Sequence, residues 1–195
     1  MGGEGPTNTN GPRPPTSIRV DRAVVDDLPG MARVHVDGWK TAYRGIVAAT
    51  VLDRLSVELD LASGFGRWLH QPGPGEGVFV ARSPTGNIAG YARASPNRDP
   101  DPRFAGELVA IYVLSSHRGR GVGTALVREV ARFFLDTGRS SMVVWVLEQN
   151  PYRRFYERLG GSLEGRRIGV SHRLGGGPLP EVSYGWHDIR GLAER

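Results

Sequence analysis

Two nearly continuous apolar runs stand out in the pattern of the chain: ELVAIYVL from Glu107 to Leu114, and MVVWVL from Met142 to Leu147. Both are short and rich in β-branched and aromatic residues. Each therefore predicts a strand buried on both faces. Between them Leu126, Val130 and Phe134 recur at every fourth position, with Val127 and Ala131 beside them. That spacing predicts an amphipathic helix, and Gly138 is placed to end it. Strand, helix and strand make a βαβ unit, which requires parallel strands and a right-handed crossover.

The rest of the pattern surrounds this unit. Ile18 to Ala23 predicts a first strand. Asp26 and Asp27 are placed to cap a helix with Pro29 in its first turn, and Met31, His35, Gly38, Trp39 and Ala42 share one face of it. A second helical region over 52–69 is loosened near Gly64 and Gly66. Gly77 to Ala94 predicts a hairpin around the turn SPTGN. Asn150-Pro151 opens a short helix that ends at Gly160-Gly161, and strands follow over 161–167 and 180–186. The expected fold is a single α/β (α+β) domain. Its sheet is mixed and mostly antiparallel, with a central parallel βαβ unit and helices on both faces. Residues 1–17 hold little to bury and predict a disordered tail, leaving 18–195 as the domain.

Composition narrows the chemistry. The chain has 195 residues and no cysteine, which excludes disulfides, thiolate metal sites and a cysteine nucleophile. The five histidines show no metal-binding spacing, so no metal is expected. No apolar run approaches the ~18 residues of a membrane span, and the N-terminus lacks the apolar segment of a secretory signal. A cytoplasmic protein without a membrane partner is expected. The net charge of +5 comes from scattered arginines, with lysine nearly absent and no zinc-finger or RNA motif, so no nucleic-acid partner is expected either.

The stretch HRGRGVG, His117 to Gly123, lies between the first apolar run and the helix. Glycines allow main-chain N–H groups to approach a ligand, and the helix points its positive end at it. Such a loop suits phosphate or pyrophosphate, and arginines add charge-assisted bonds. A plain glycine turn with exposed arginines has the same sequence. A Walker loop would need Gly-Lys-Ser/Thr, and the dinucleotide pattern would need glycine or alanine where Thr124 stands.

Arg118-x-x-Gly121-x-Gly123, set between an apolar strand and a helix, resembles the pyrophosphate loop Q/R-x-x-G-x-G/A of the GCN5-related N-acetyltransferases, the GNAT superfamily. LVAIYVLSSHRGRGVGTALVREV is similar to that family's fourth strand, loop and third helix. WVLEQNPYRRFYERLGG resembles its next segment, and HVDGWKTAYRG its first-helix region. The likeness runs from about Ile18 to EVSYGWHD. Two departures exist: the interval from Asn150 to Tyr156 is one residue shorter than the common pattern, and Gly160-Gly161 replaces Gly-Phe.

The resemblance implies transfer of an acetyl group from acetyl-CoA to a primary amine of a small molecule or peptide. It implies that Arg118, Gly119, Arg120, Gly121, Val122, Gly123 and Thr124 hold the coenzyme, with main-chain groups of Tyr112 and Val113 on the fourth strand. Val113 is the chosen N–H donor to the thioester oxygen. Asn150 is similar to a coenzyme-contacting asparagine and is equally a helix cap. Tyr156 matches a general acid and is equally a core aromatic. Glu107 is placed like the general base of histone-type members, and is equally a solvated or ion-paired strand end. Trp39 and Tyr43 would wall the acceptor pocket or pack in the core, with Asp37 facing solvent. Without a cysteine, direct attack in a ternary complex is the simpler route. The alternative is a non-catalytic acyl-CoA sensor of the same fold. A homodimer is left open.

Overall fold

The computed structural model describes residues 17–99, 101–169 and 178–194. The expected tail lies outside the described residues but for Ser17, and so does most of the loop between the last two strands. Among the described residues, seven strands form one sheet in the order β1-β2-β3-β4-β5-β7-β6. They are β1 (Arg19–Arg22), β2 (Gly77–Arg82), β3 (Ile88–Pro96), β4 (Gly106–Val113), β5 (Met142–Leu147), β6 (Ser162–Gly169) and β7 (Leu179–Trp186). Every neighbouring pair is antiparallel except β4 and β5. The mixed α/β sheet around a parallel βαβ unit is therefore the architecture present.

Helix α1 (Leu28–Ala42) covers one face, with α2 (Ala49–Asp53), α3 (Val57–Ala62) and α4 (Arg67–His70) following it. The second helical region is thus three short pieces. Gly64 and Gly66 adopt φ of +79° and +80°, a left-handed backbone that interrupts a right-handed helix. Met31 and Val34 of α1 pack on Val78, Val80 and Tyr91 of the sheet. On the other face lies α5 (Val122–Asp136), whose Leu126, Val127, Val130 and Phe134 are buried against Leu108, Val144 and Val182. Helix α6 (Arg154–Arg158) follows β5, and α7 (Arg190–Glu194) closes the chain with Leu192 in the same core as α5.

Asp27 does not cap α1 with its side chain. Its carboxylate accepts the Val24 N–H at 3.0 Å and pairs with Arg82 at 2.8 Å, tying the start of α1 to β2.

The feature that shapes the site is where β4 and β5 part. They pair only at Gly106 with Met142 and at Glu107 with Val143. Beyond that, β4 stays with β3 as far as Val113, while β5 stays with β7 along its whole length. The β3–β4 register shifts at Arg93/Ala94, where β4 advances from Leu108 to Ala110 against a single step of β3. An extra residue of this kind bends its strand. The bend sits at the point where β4 leaves β5.

Candidate functional site

The splay opens a cleft of about 560 Å³. Val109 to Val113 line one side and Val144, Trp145 and Val146 the other. The glycine loop, Asn150, Tyr152, Phe155 and Tyr156 line its mouth and far wall.

Main-chain polarity along β4 follows from one bond. Leu114 N–H donates to Ala89 O at 2.9 Å, so Leu114 faces β3. Alternation along an antiparallel pair then turns the N–H and C=O groups of Val113 and Ile111 away from β3 and into the splay. The Val113 carbonyl meets Arg118 Nε at 3.3 Å there, as that orientation requires.

The loop behind this edge leaves its main-chain donors free. A short 3-10 turn over Ser115–His117 leads into Gly119 and Gly121, at φ of +72° and +78°. Gly121 stands at the N-cap of α5 and no side chain caps that helix. Among the described residues, no hydrogen bond engages the main-chain N–H groups from Gly119 to Thr124. The first turn of a 15-residue helix therefore presents its donors and its positive end to the cleft. Val122 is the anchor of this turn, buried against the sheet. Arg120 is exposed.

Opposite the loop, Tyr156 is 8% exposed and lines the cleft. Its ring stacks on Tyr184 at 5.8 Å and meets Phe155 edge-on at 5.3 Å. Burial, and then the nearby Tyr43, raise its pKa well above the ordinary tyrosine value, which keeps the phenol protonated. Asn150 is buried and also lines the cleft. Its Oδ1 accepts the Tyr152 N–H at 2.8 Å, so it serves as a cap while its amide group stays beside the cleft.

On the α1 side Tyr43 and Trp39 take different places. Tyr43 lines the cleft, and burial is the main cause of its raised pKa. Trp39 does not line it. Its indole meets the rings of His35 and Tyr43, and its Nε1–H donates to the Tyr112 hydroxyl at 2.9 Å. The Tyr112 side chain packs in the α1 core. Asp37 is not left to solvent. Its carboxylate accepts the Ser115 N–H at 2.8 Å and the Ser115 hydroxyl at 3.1 Å, fastening α1 to the loop.

Glu107 is the residue that the structure takes away from the cleft. It is 2% exposed, lies at the paired end of β4 and is not among the cleft's lining residues. Arg98 Nε and Nη2 reach its two carboxylate oxygens at 2.8 and 2.5 Å. A carboxylate held in that grip is poorly placed to take a proton. The ion pair expected of a strand-end glutamate is present.

Residues that the pattern did not single out also border the cleft: His117, Tyr152, Phe155 and Arg158. Tyr152 and Phe155 carried a signal, since they lie between Asn150 and Tyr156 on the same short segment. Among the described residues, no three His, Asp or Glu side chains gather to hold a metal, and no helix is long and apolar enough to cross a membrane.

The profile of the Acetyltransferase (GNAT) family matches residues 30–161. The uncharacterized N-acetyltransferase YuaI of Bacillus subtilis is 35% identical over 175 residues, covering 90% of this chain and 96% of its own. A probable N-acetyltransferase of Mycobacterium tuberculosis is 26% identical, with 87% and 94% covered. Among solved structures, the PaiA N-acetyltransferase of Thermoplasma acidophilum in complex with coenzyme A has a TM-score of 0.63 at 18% identity, covering 87% of this chain and 99% of its own. YncA of Salmonella typhimurium, solved with its cofactor acetyl-CoA, has a TM-score of 0.62 at 21% identity, with 87% and 93% covered.

Proposed function

The chain belongs to the acetyltransferase (GNAT) family, and on that footing we propose that it moves an acetyl group from acetyl-CoA to a primary amine of a small molecule or peptide, by direct attack in a ternary complex. One observation carries the reading. Among the described residues, a strand edge with unpaired Val113 and Ile111 N–H groups lies beside a loop and helix start whose six N–H groups, from Gly119 to Thr124, have no partner. That pair of features suits a ligand with a diphosphate at one end and a thioester at the other.

In this reading the amides from Gly119 to Thr124 hold the diphosphate, and Arg118 and Arg120 supply positive charge. Acetyl-CoA brings an activated acyl group on a thiol leaving group. The amine nitrogen attacks the carbonyl carbon, the C–N bond forms, the C–S bond breaks, and the electron pair leaves on sulfur. Negative charge building on the carbonyl oxygen meets the Val113 N–H, a donor already fixed by the sheet. Contacts of this kind are worth a factor of about 10²–10³ in rate. Tyr156 gives its proton to the departing sulfur, and the proton shed by the newly acylated nitrogen returns through water in the cleft to the Tyr156 phenolate. Burial raises the Tyr156 pKa and so keeps the phenol in its proton-bearing form before the transfer. Asn150 sets the start of the segment that carries Tyr156, and Tyr43 faces the acceptor from α1.

The amine must arrive neutral. An alkylamine of pKa ≈ 10.4 is neutral in about one molecule in 10³ near pH 7. With Glu107 held by Arg98, the acceptor loses its proton to solvent or through water in the cleft.

The test has two stages. Acetyl-CoA at about 100 times its dissociation constant should add about 2.7 kcal/mol to thermal stability. A panel of amines, read by release of free thiol, then identifies the acceptor. Binding without turnover of any amine would favour a sensor.

A further inference from the structure

Arg118 crosses the mouth of the cleft. Its Nε donates to the Val113 carbonyl at 3.3 Å, its Nη1 to the Tyr152 hydroxyl at 2.5 Å, and its Nη2 to the Thr41 hydroxyl at 2.5 Å. Its guanidinium also lies 4.5 Å from the centre of the Tyr152 ring. One side chain therefore links the end of β4, the C-terminal turn of α1 and the segment before α6.

Two properties make this contact set unlike a structural anchor. First, every partner is neutral: a carbonyl, two hydroxyls and an aromatic face. Among the described residues the guanidinium has no carboxylate partner, although it stands at the edge of a loop with a row of unpaired N–H groups. Bonds from a guanidinium to phosphate oxygens are roughly twice as strong as bonds between neutral partners. Second, one partner is the Val113 carbonyl, which faces the splay. Among the described residues it is the outermost main-chain acceptor of β4 there. The pantetheine arm of coenzyme A carries amide N–H groups, and an arm laid along β4 would need that same carbonyl.

We infer that Arg118 is a strap over the coenzyme cleft. In the state described here it is held shut by Val113, Thr41 and Tyr152, and entry of the coenzyme exchanges those neutral partners for diphosphate oxygens. This rests on the functional reading above and concerns the regulation of the same site. The closed strap is a competitor. The fraction of molecules with the strap open scales the apparent affinity for coenzyme.

The α1 attachment makes the strap a link between the two substrates. Thr41 is two residues from Tyr43, which lines the cleft. When Arg118 leaves Thr41, α1 keeps its second tie to the loop, the Asp37 carboxylate on Ser115. The helix therefore stays docked while its last turn is released.

Thr41 and Tyr152 are exposed, so Thr41→Val and Tyr152→Phe remove one strap bond each without opening the core. Binding of coenzyme A to the full chain is measured by calorimetry and stopped flow. Each variant should bind about three- to tenfold tighter, the range expected for one hydrogen bond to a charged group, less what the remaining bonds retain. The gain should appear in the association rate, and the double variant should exceed either single one. Equal or weaker affinity in both variants, with coenzyme A still bound by the parent chain, would overturn the strap alone. If the parent chain binds no coenzyme A, the functional reading falls and the strap with it.

Discussion

Arg98 holds Glu107 by both carboxylate oxygens, at 2.8 and 2.5 Å, and the Arg98 main-chain N–H adds a third contact at 3.3 Å. Glu107 is nearly fully buried, while the Arg98 side chain is more than half exposed. The pair pins the loop after β3 to the only stretch where β4 and β5 are joined. Its weight falls on stability and on the geometry of the splay. Glu107→Gln should lower stability by about 1–3 kcal/mol, the scale of a lost charge-assisted contact to a buried group. Turnover per folded molecule should stay within about threefold. A loss of 10² or more in rate with unchanged melting temperature would return the role of base to Glu107.

Tyr156→Phe removes a proton donor and keeps the ring against Tyr184. Turnover should fall by about 10²–10⁴, the usual worth of a positioned acid, while the dissociation constant for coenzyme stays within twofold. Steady-state rates and calorimetry on the same preparation check both. Unchanged turnover with an accepted amine would remove Tyr156 from the reaction.

The pH profile follows from the same burial. Because the Tyr156 pKa is raised, the phenol remains protonated well past the ordinary value of 10.0. The acceptor's loss of its proton then sets the slope. The ratio kcat/KM should rise close to tenfold per pH unit from about pH 7 to 9, with no falling limb below the range where free alkylamines titrate, ≈ 10.4. A falling limb near pH 8 would mean a different acid.

Burial also raises the pKa values of Tyr91 and Tyr112. A group whose folded pKa lies above its unfolded value stabilises the fold fully below the unfolded pKa. That contribution is lost as pH rises toward the folded value. Stability should therefore decline above about pH 10, where unfolded tyrosine titrates. Of the six tyrosines, Tyr91, Tyr112 and Tyr156 should ionise only as the fold gives way, followed by phenolate absorbance alongside circular dichroism. All six ionising near pH 10 in a folded protein would contradict the packing described.

Gly121 and Gly138 give a matched pair. Both adopt positive φ, +78° and +77°, and a Cβ at either would meet nothing within 4 Å. Gly121→Ala and Gly138→Ala should each cost about 1–2 kcal/mol through the backbone alone. Only Gly121→Ala should also weaken coenzyme binding, by about tenfold or more, because it re-aims the amides at the start of α5. Equal affinity in both variants would mean that the loop does not hold the ligand.

Much of this was legible in the chain. The two apolar runs and the helix between them set the parallel β4–β5 unit, because burial on both faces leaves a strand little freedom to alternate. The glycines of HRGRGVG marked the turn into α5, because the left-handed backbone at Gly119 and Gly121 is a local property that glycine announces. Long-range pairings left no such trace. Nothing near Glu107 in its own strand foretold Arg98, nine positions earlier and across a loop. Asp37 read as a solvent-facing helix residue, since its partner Ser115 lies 78 positions away. The break of the second helical region into three was half visible at Gly64 and Gly66. Helix α7 was missed because its five residues carry too little pattern to count.

The most direct measurement is a main-chain amide titration of the isotope-labelled protein with acetyl-CoA, followed by nuclear magnetic resonance. The amides from Gly119 to Thr124 and that of Val113 should show the largest shifts, saturating together at one dissociation constant. Saturable binding that leaves those amides in place, or shifts gathered elsewhere on the sheet, would contradict the assignment of the cleft.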